Sequence, residues 1–132
     1  MLSLTEQLQS FFCAESSLQL AILFGSAARG SLRPDSDIDL ALQYDEPLSL
    51  EAKQDLIFRL ETLLHRRVDI LELPQISGSM LKEVLCEGKI LVKKDAEVLF
   101  RNMQKMIFHQ ADMQPYIRRA QLRRQQRFQH GK

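Results

Sequence analysis

Gly25-Ser26 and, ten residues further on, Asp37-Ile38-Asp39 are the residues in this chain whose types and spacing suit a chemical task. An apolar run, Leu20 to Phe24, leads into the Gly-Ser pair, and a second, Leu40-Ala41-Leu42, follows the acids. Side chains alternate across a strand, so a strand here puts Asp37 and Asp39 on one face and Ile38 and Leu40 on the other. Carboxylates about 6 to 7 Å apart at their Cα atoms can hold one or two divalent cations between them. Two such acids with no cation repel, and one tends to keep a proton. Gly25 lets the backbone approach a ligand closely, Ser26 adds a hydroxyl, and a short helix after them would aim N–H groups at phosphate oxygens. Anion donors on one edge and metal ligands on the other suit a Mg2+-bound nucleoside triphosphate.

Gly-Ser, ten residues, then Asp-x-Asp resembles the signature of the DNA-polymerase-β-like nucleotidyltransferase superfamily. It reads Phe24-Gly25-Ser26-Ala27-Ala28-Arg29-Gly30 and then Ser36-Asp37-Ile38-Asp39-Leu40, with no element of the core motif missing. The resemblance implies a third carboxylate on a later strand, and Arg67-Val68-Asp69-Ile70-Leu71-Glu72-Leu73 looks like that strand. Glu72, three positions beyond Asp69, faces away from it in a regular strand, so Asp69 is the better candidate. A Gly-Ser pair alone is usually a turn, and Asp-x-Asp alone is usually a loop or helix start. It is the combination that carries the reading.

The elements around these residues are legible from periodicity. Met1 to Glu15 reads as an amphipathic helix capped by Ser3 or Thr5, with Leu4, Leu8, Phe11 and Phe12 inward. Leu18 to Phe24 is a strand buried on both faces, Gly25 to Gly30 a short helix, Ser31 to Ser36 a loop, and Asp37 to Gln43 the acid-bearing strand. Ser49 to His65 is a helix with Leu56, Leu60, Leu63 and Leu64 on one face. Arg67 to Leu73 is the third strand, Ile76 to Cys86 a helix that Gly88 ends, and Lys89 to Val92 a last strand. The fold class is α/β: a small mixed sheet of about four strands flanked by helices, with a long C-terminal helix.

The 132 residues, 45% hydrophobic and 27% charged, describe one globular domain with a real core. Cys13 and Cys86 sit among apolar neighbours without metal or disulfide spacing, which predicts reduced, core or near-core thiols in a cytoplasmic protein. His65, His109 and His130 match no zinc spacing. No apolar segment is long enough to cross a bilayer, so no membrane association is expected.

The near-neutral total hides two opposite parts, a core over residues 1–94 and an extension over 95–132. Residues 1–94 carry ten Lys/Arg against fourteen Asp/Glu, net −4, and residues 95–132 carry eight against three, net +5. Leu99, Met103, Met106, Met113, Ile117 and Ala120 form a helical stripe, bent or broken near Pro115; packing of its first half on the core is one reading of it. Arg118 to Arg127 is too polar for a core. A solvated tail, a surface for an acidic partner and a nucleic-acid contact all remain open for it; with Phe128 the one nearby stacking ring, direct nucleic-acid binding is not expected.

Nucleotidyltransferases that modify antibiotics, tRNA or DNA ends look like larger proteins with an added acceptor domain, for which almost no chain is left here. The size is similar to that of the minimal nucleotidyltransferases, antitoxin partners of HEPN-domain ribonuclease toxins. This resemblance covers Leu18 to about Val92. It implies transfer of AMP from ATP to a tyrosine hydroxyl of a cognate HEPN toxin, in a homo- or hetero-oligomer. By the same resemblance Asp37 and Asp39 bind two Mg2+ ions and Asp69 shares the one that activates the acceptor. Gly25 and Ser26 then hold the triphosphate, with Arg29 a second contact and Arg33 and Lys53 weaker ones. Two alternatives stand beside it: a non-catalytic antitoxin that covers its toxin, and a small-molecule nucleotidyltransferase.

Overall fold

The structure is a computed structural model that describes residues 2–108. The chain runs α1 (Leu4–Cys13), β1 (Leu18–Phe24), β2 (Ile38–Tyr44), α2 (Leu50–Leu64), β3 (Val68–Glu72), a 3-10 turn (Leu73–Gln75), α3 (Gly78–Glu87) and β4 (Lys89–Lys93). A further helix, α4, follows over 96–108. The expectations for Met113, Pro115, Ile117, Ala120, the basic run 118–127, His109 and His130 lie outside the described residues.

The four strands form one mixed sheet in the order β3-β2-β1-β4. β1 pairs antiparallel with both β2 and β4, while β2 and β3 run parallel. Central β1 is buried almost throughout, because its side chains feed two apolar layers. Leu8 and Phe12 of α1 and Leu56 and Leu60 of α2 cover one face with Leu23, Leu40 and Leu42. Leu81 and Val84 of α3 and Val98 of α4 cover the other with Leu20, Ile22, Phe24 and Ala41. This pleat alternation decides which side chains of β2 face which helices.

Local signals explain the element ends. Ser3, rather than Thr5, caps α1: its Oγ accepts the Glu6 N–H at 3.2 Å, and Glu6 Oε1 accepts the Ser3 N–H at 3.3 Å, a reciprocal pair that satisfies two amides. Ser49 caps α2 by accepting the Ala52 N–H at 3.1 Å. α2 ends at His65 in the left-handed region, φ 55°. β3 stops one residue before the expected Leu73, because Leu73-Pro74-Gln75 coils into the 3-10 turn with Pro74 in its first positions.

Four expectations are corrected. Gly25 to Gly30 is a turn, not a short helix, since both glycines take φ +74°, which a right-handed helix cannot continue. Cys13 and Cys86 are exposed rather than in or near the core: Cys13 is the last residue of α1, and Cys86 lies 3.9 Å from Met106 Sδ. Leu63 is exposed, because α2 turns Leu56 and Leu60 to the sheet. In α4 the buried positions are Val98 and Asn102, with Leu99 and Met106 at the margin and Met103 exposed. The apolar stripe missed Asn102, which is buried because its amide donates to Gln43 Oε1 at 2.9 Å and to Val98 O at 2.8 Å.

Candidate active site

The acids stand where β1 ends and β2 and β3 begin. Asp39 and Asp69 are direct partners in the parallel β2–β3 register, flanked by the partners Ile38–Val68 and Leu40–Ile70. Adjacent strands lie about 4.8 Å apart, so the two Asp backbones are near neighbours. Ile38, Leu40, Val68 and Ile70 are buried in the α1/α2 layer, so alternation turns both aspartates to the opposite face, the one that carries Ala41. Glu72 faces away from Asp69, as spacing required: it is buried, accepting the Leu48 N–H at 3.0 Å and Gln75 Nε2 at 3.2 Å.

Asp37 is placed differently. β2 begins at Ile38, so Asp37 lies one residue outside the pleat. Among the described residues, no three His, Cys, Asp or Glu side chains stand grouped as a metal-binding set. The backbone therefore pairs Asp39 with Asp69 and leaves Asp37 beside them on the incoming loop, exposed.

Gly25 completes the site from β1. Phe24 is the β1 partner of Asp39, which brings the next residue against the Asp39 side chain. A Cβ at Gly25 would collide with Asp39 Oδ2 and stand 3.1 Å from its Cγ. Only a bare α-carbon fits there, and φ +74° at the same residue asks for glycine independently. The turn that follows is closed by Arg29 N–H to Gly25 O at 3.2 Å and Ser31 N–H to Ser26 O at 3.0 Å. Ser26 is half-buried in it and Arg29 is exposed on its rim. With no helix here, the turn can offer an anion its own amides and side chains but no helix dipole. Lys53 belongs to α2, which packs on the sheet face opposite the acids.

In chemical type, though not as a closed set, the acids suit a divalent cation. Their carboxylate oxygens are the hard ligands that Mg2+ prefers, and the missing Cβ at Gly25 leaves room for the Asp39 carboxylate where it stands. Asp37 and Asp69 are both exposed, so the site opens onto the surface. A cavity of about 360 Å³, lined by Gln43 to Pro47, Gln75 and Arg101 among others, lies toward the far end of β2 and includes none of these residues.

Sequence reasoning missed Arg66. Its Nη1 lies 2.8 Å from Arg33 O and 3.4 Å from both Pro34 O and Ser36 O, on the loop that delivers Asp37. No motif marks it, because the contact joins positions about thirty residues apart.

A sheet of this order, with a glycine turn after β1 and aspartates aligned on β2 and β3, is the frame of a nucleotidyl-transfer enzyme. Residues 6–97 match the polymerase beta nucleotidyltransferase family model, and the chain belongs to that family and is a nucleotidyltransferase. It is 33% identical over 103 residues to the protein adenylyltransferase MntA of Shewanella oneidensis, covering 76% of this chain and 74% of that protein. Among solved structures it resembles a chain of a toxin–antitoxin complex with AMP-PNP, with TM-score 0.70 and 25% identity, over 87% of this chain and 98% of that one. It also resembles a chain of the tri-AMPylated Shewanella oneidensis HEPN toxin in complex with MNT antitoxin, with TM-score 0.63 and 25% identity, over 87% and 95% of the two chains.

Proposed function

We propose that this chain is a Mg2+-dependent protein adenylyltransferase that moves AMP from ATP to a tyrosine hydroxyl of a cognate HEPN ribonuclease toxin, neutralising it in the cytoplasm. The observation that carries this reading is the register of Asp39 opposite Asp69 with the bare Gly25 α-carbon against the Asp39 carboxylate. Membership of the nucleotidyltransferase family supports the reaction class, and the name of the Shewanella relative supports a protein acceptor. The exposure of Asp37 and Asp69 agrees with it, because a tyrosine on a folded partner can reach acids only on an open surface. Among the described residues no helix is long and apolar enough to cross a membrane.

In this mechanism Asp37 and Asp39 would hold two Mg2+ ions, and Asp69 would share the one nearer the acceptor. Bound there, Mg2+ supplies charge neutralisation for the phosphates and lowers the acceptor's pKa. The turn at Gly25 and Ser26 receives the triphosphate tail and Arg29 adds a cationic contact at its rim. The tyrosine oxygen forms a bond to the α-phosphorus, its proton leaves on the Asp69 side, and the bond to the β-phosphate oxygen breaks to release pyrophosphate. Residues 1–94 serve as the catalytic core and 95–132 as an extension; all six site residues fall in the first part.

Incubating the chain and its toxin with Mg2+ and ATP labelled in the α-phosphate tests the reading. Label appears on the toxin, and Asp39→Ala removes it. Inhibition without label means that the chain neutralises by occlusion. Label on a small metabolite, with the toxin unlabelled, means a small-molecule acceptor.

A further inference from the structure

The loop between the glycine turn and Asp37 is tied down from one point. Residues 33–36 close a tight turn in which Ser36 N–H donates to Arg33 O at 3.0 Å and Ser36 Oγ accepts the Arg33 N–H at 3.0 Å. Pro34 occupies the second position of that turn, where its restricted φ suits the bend. The Arg66 guanidinium meets the turn's carbonyls from outside, through Nη1 to Arg33 O, Pro34 O and Ser36 O. On the other side of Asp37, the Ile38 N–H donates to Arg67 O at 2.9 Å. Asp37 thus hangs between two anchors, and both belong to the consecutive residues 66 and 67 that lead into β3 and Asp69.

The end of α2 aims this clasp. His65 takes φ 55° and ψ 39°, a left-handed conformation that a residue with a side chain adopts only when its surroundings hold it. Its N–H still donates to Glu61 O at 2.8 Å, and Glu61 Oε2 accepts the Val68 N–H at 2.9 Å. Helix end and strand start are therefore pinned to each other, and Arg66 is projected between them onto the 33–36 turn. An arginine suits the task, since it is permanently charged and its planar head aims the Nη1 donors in fixed directions, whereas a lysine ammonium turns freely on a more flexible stem.

We propose that Arg66 is a positioning residue for nucleotidyl transfer: by clasping the carbonyls of Arg33, Pro34 and Ser36 it holds Asp37 in register with Asp39 and Asp69. This rests on the reading of the site given above. Asp37 lies outside β2 and has no ladder of its own, so the clasp supplies the constraint that the strand supplies to Asp39. Losing a group bonded directly to a metal ligand changes metal affinity by about 10- to 100-fold; Arg66 acts one step further back, on the backbone carbonyls that precede Asp37.

The test compares the wild-type chain with Arg66→Ala, Arg66→Lys and Asp39→Ala, using Mn2+ as a paramagnetic probe in the presence of a non-hydrolysable ATP analogue. Arg66→Ala weakens Mn2+ binding about tenfold. It also speeds hydrogen exchange at the amides of Ser36 and Ile38, while β1 amides keep the wild-type rate. Arg66→Lys falls between, and in the transfer assay both variants raise the Mg2+ requirement and recover most of kcat when Mg2+ is saturating. Wild-type Mn2+ affinity and wild-type exchange over 33–38 in Arg66→Ala overturn the proposal. If Arg66→Ala fails to fold, Arg66→Lys decides alone, and wild-type values in it overturn the proposal equally. If no AMP transfer occurs even in the wild type, the proposed function falls, and metal binding and exchange still decide the role of Arg66.

Discussion

Gly25 is a residue with two independent requirements, a positive φ and a van der Waals boundary with the Asp39 carboxylate. Gly25→Ala therefore strains the turn by about 1 to 3 kcal/mol and displaces the carboxylate it touches. Thermal unfolding is expected to show a loss of several degrees, and AMP transfer to fall about 100-fold or more, since sub-ångström placement matters at reacting centres. Gly30 has the same φ but nothing within 4 Å of a Cβ, so its substitution costs strain without this collision. Tyr44 gives a different prediction. Its hydroxyl donates to Glu15 Oε1 at 3.1 Å, and Glu15 also pairs with Arg59 at 3.3 Å. Burial first, then the Glu15 charge and hydrogen bond, push the phenol well above its ordinary range. The folded protein thus holds Tyr44 neutral at a pH where the unfolded chain ionises it. That contribution to stability is present below about pH 10 and lost as pH rises above it. The Tm of the wild type is expected to fall between pH 9.5 and 11 more steeply than that of Tyr44→Phe, whose Tm at neutral pH is lower by the loss of about 1 kcal/mol.

At the scale of elements, α4 is attached by a mixed contact. Val98 enters the apolar layer, while buried Asn102 ties the helix to Gln43 on the same face of β2 that carries Asp39 and Ala41. Asn102→Ala leaves the Gln43 amide oxygen without this donor in a half-buried place, at a cost of about 1 to 3 kcal/mol. Hydrogen exchange is expected to quicken across 96–108 while α1, on the opposite layer, keeps its protection. Six residues bracketed by two glycines of positive φ cannot propagate a helix, so the proposed phosphate contact would depend on individual amides and side chains, with no helix dipole behind them.

For the whole molecule, the site is built at the common end of three strands, so binding there is coupled to the stability of the entire sheet. A ligand held only by the folded state raises stability by RT ln(1 + [L]/Kd), about 2.7 kcal/mol at a hundred times Kd. Mg2+ with a non-hydrolysable ATP analogue is accordingly expected to raise Tm by several degrees. The analogue with chelator, or Mg2+ with Asp39→Ala, is expected to give much less, as differential scanning fluorimetry can show. Two layers covering one sheet also mean that the acids share their face with α3 and α4, while α1 and α2 only support it from behind.

The chain's own order of residues was enough to mark the candidate site. The spacing from Gly25-Ser26 to Asp37-x-Asp39, the apolar runs on either side and the alternation through Val68-Asp69-Ile70 are local patterns, and local patterns reflect backbone periods of two and 3.6 that hold before any packing. The helices α1 and α2, the four strands and the orientation of Glu72 away from Asp69 were legible for the same reason. Tertiary structure decided what local periods cannot express: the strand order β3-β2-β1-β4, the parallel register that seats Asp39 opposite Asp69, and the start of β2 at Ile38 that leaves Asp37 on a loop. It also decided the exposure of Cys13 and Cys86, the burial of Asn102 and the clasp of Arg66 on residues 33–36. Each of these depends on which distant segment lies alongside, and that choice is made by burying two faces of one sheet at once.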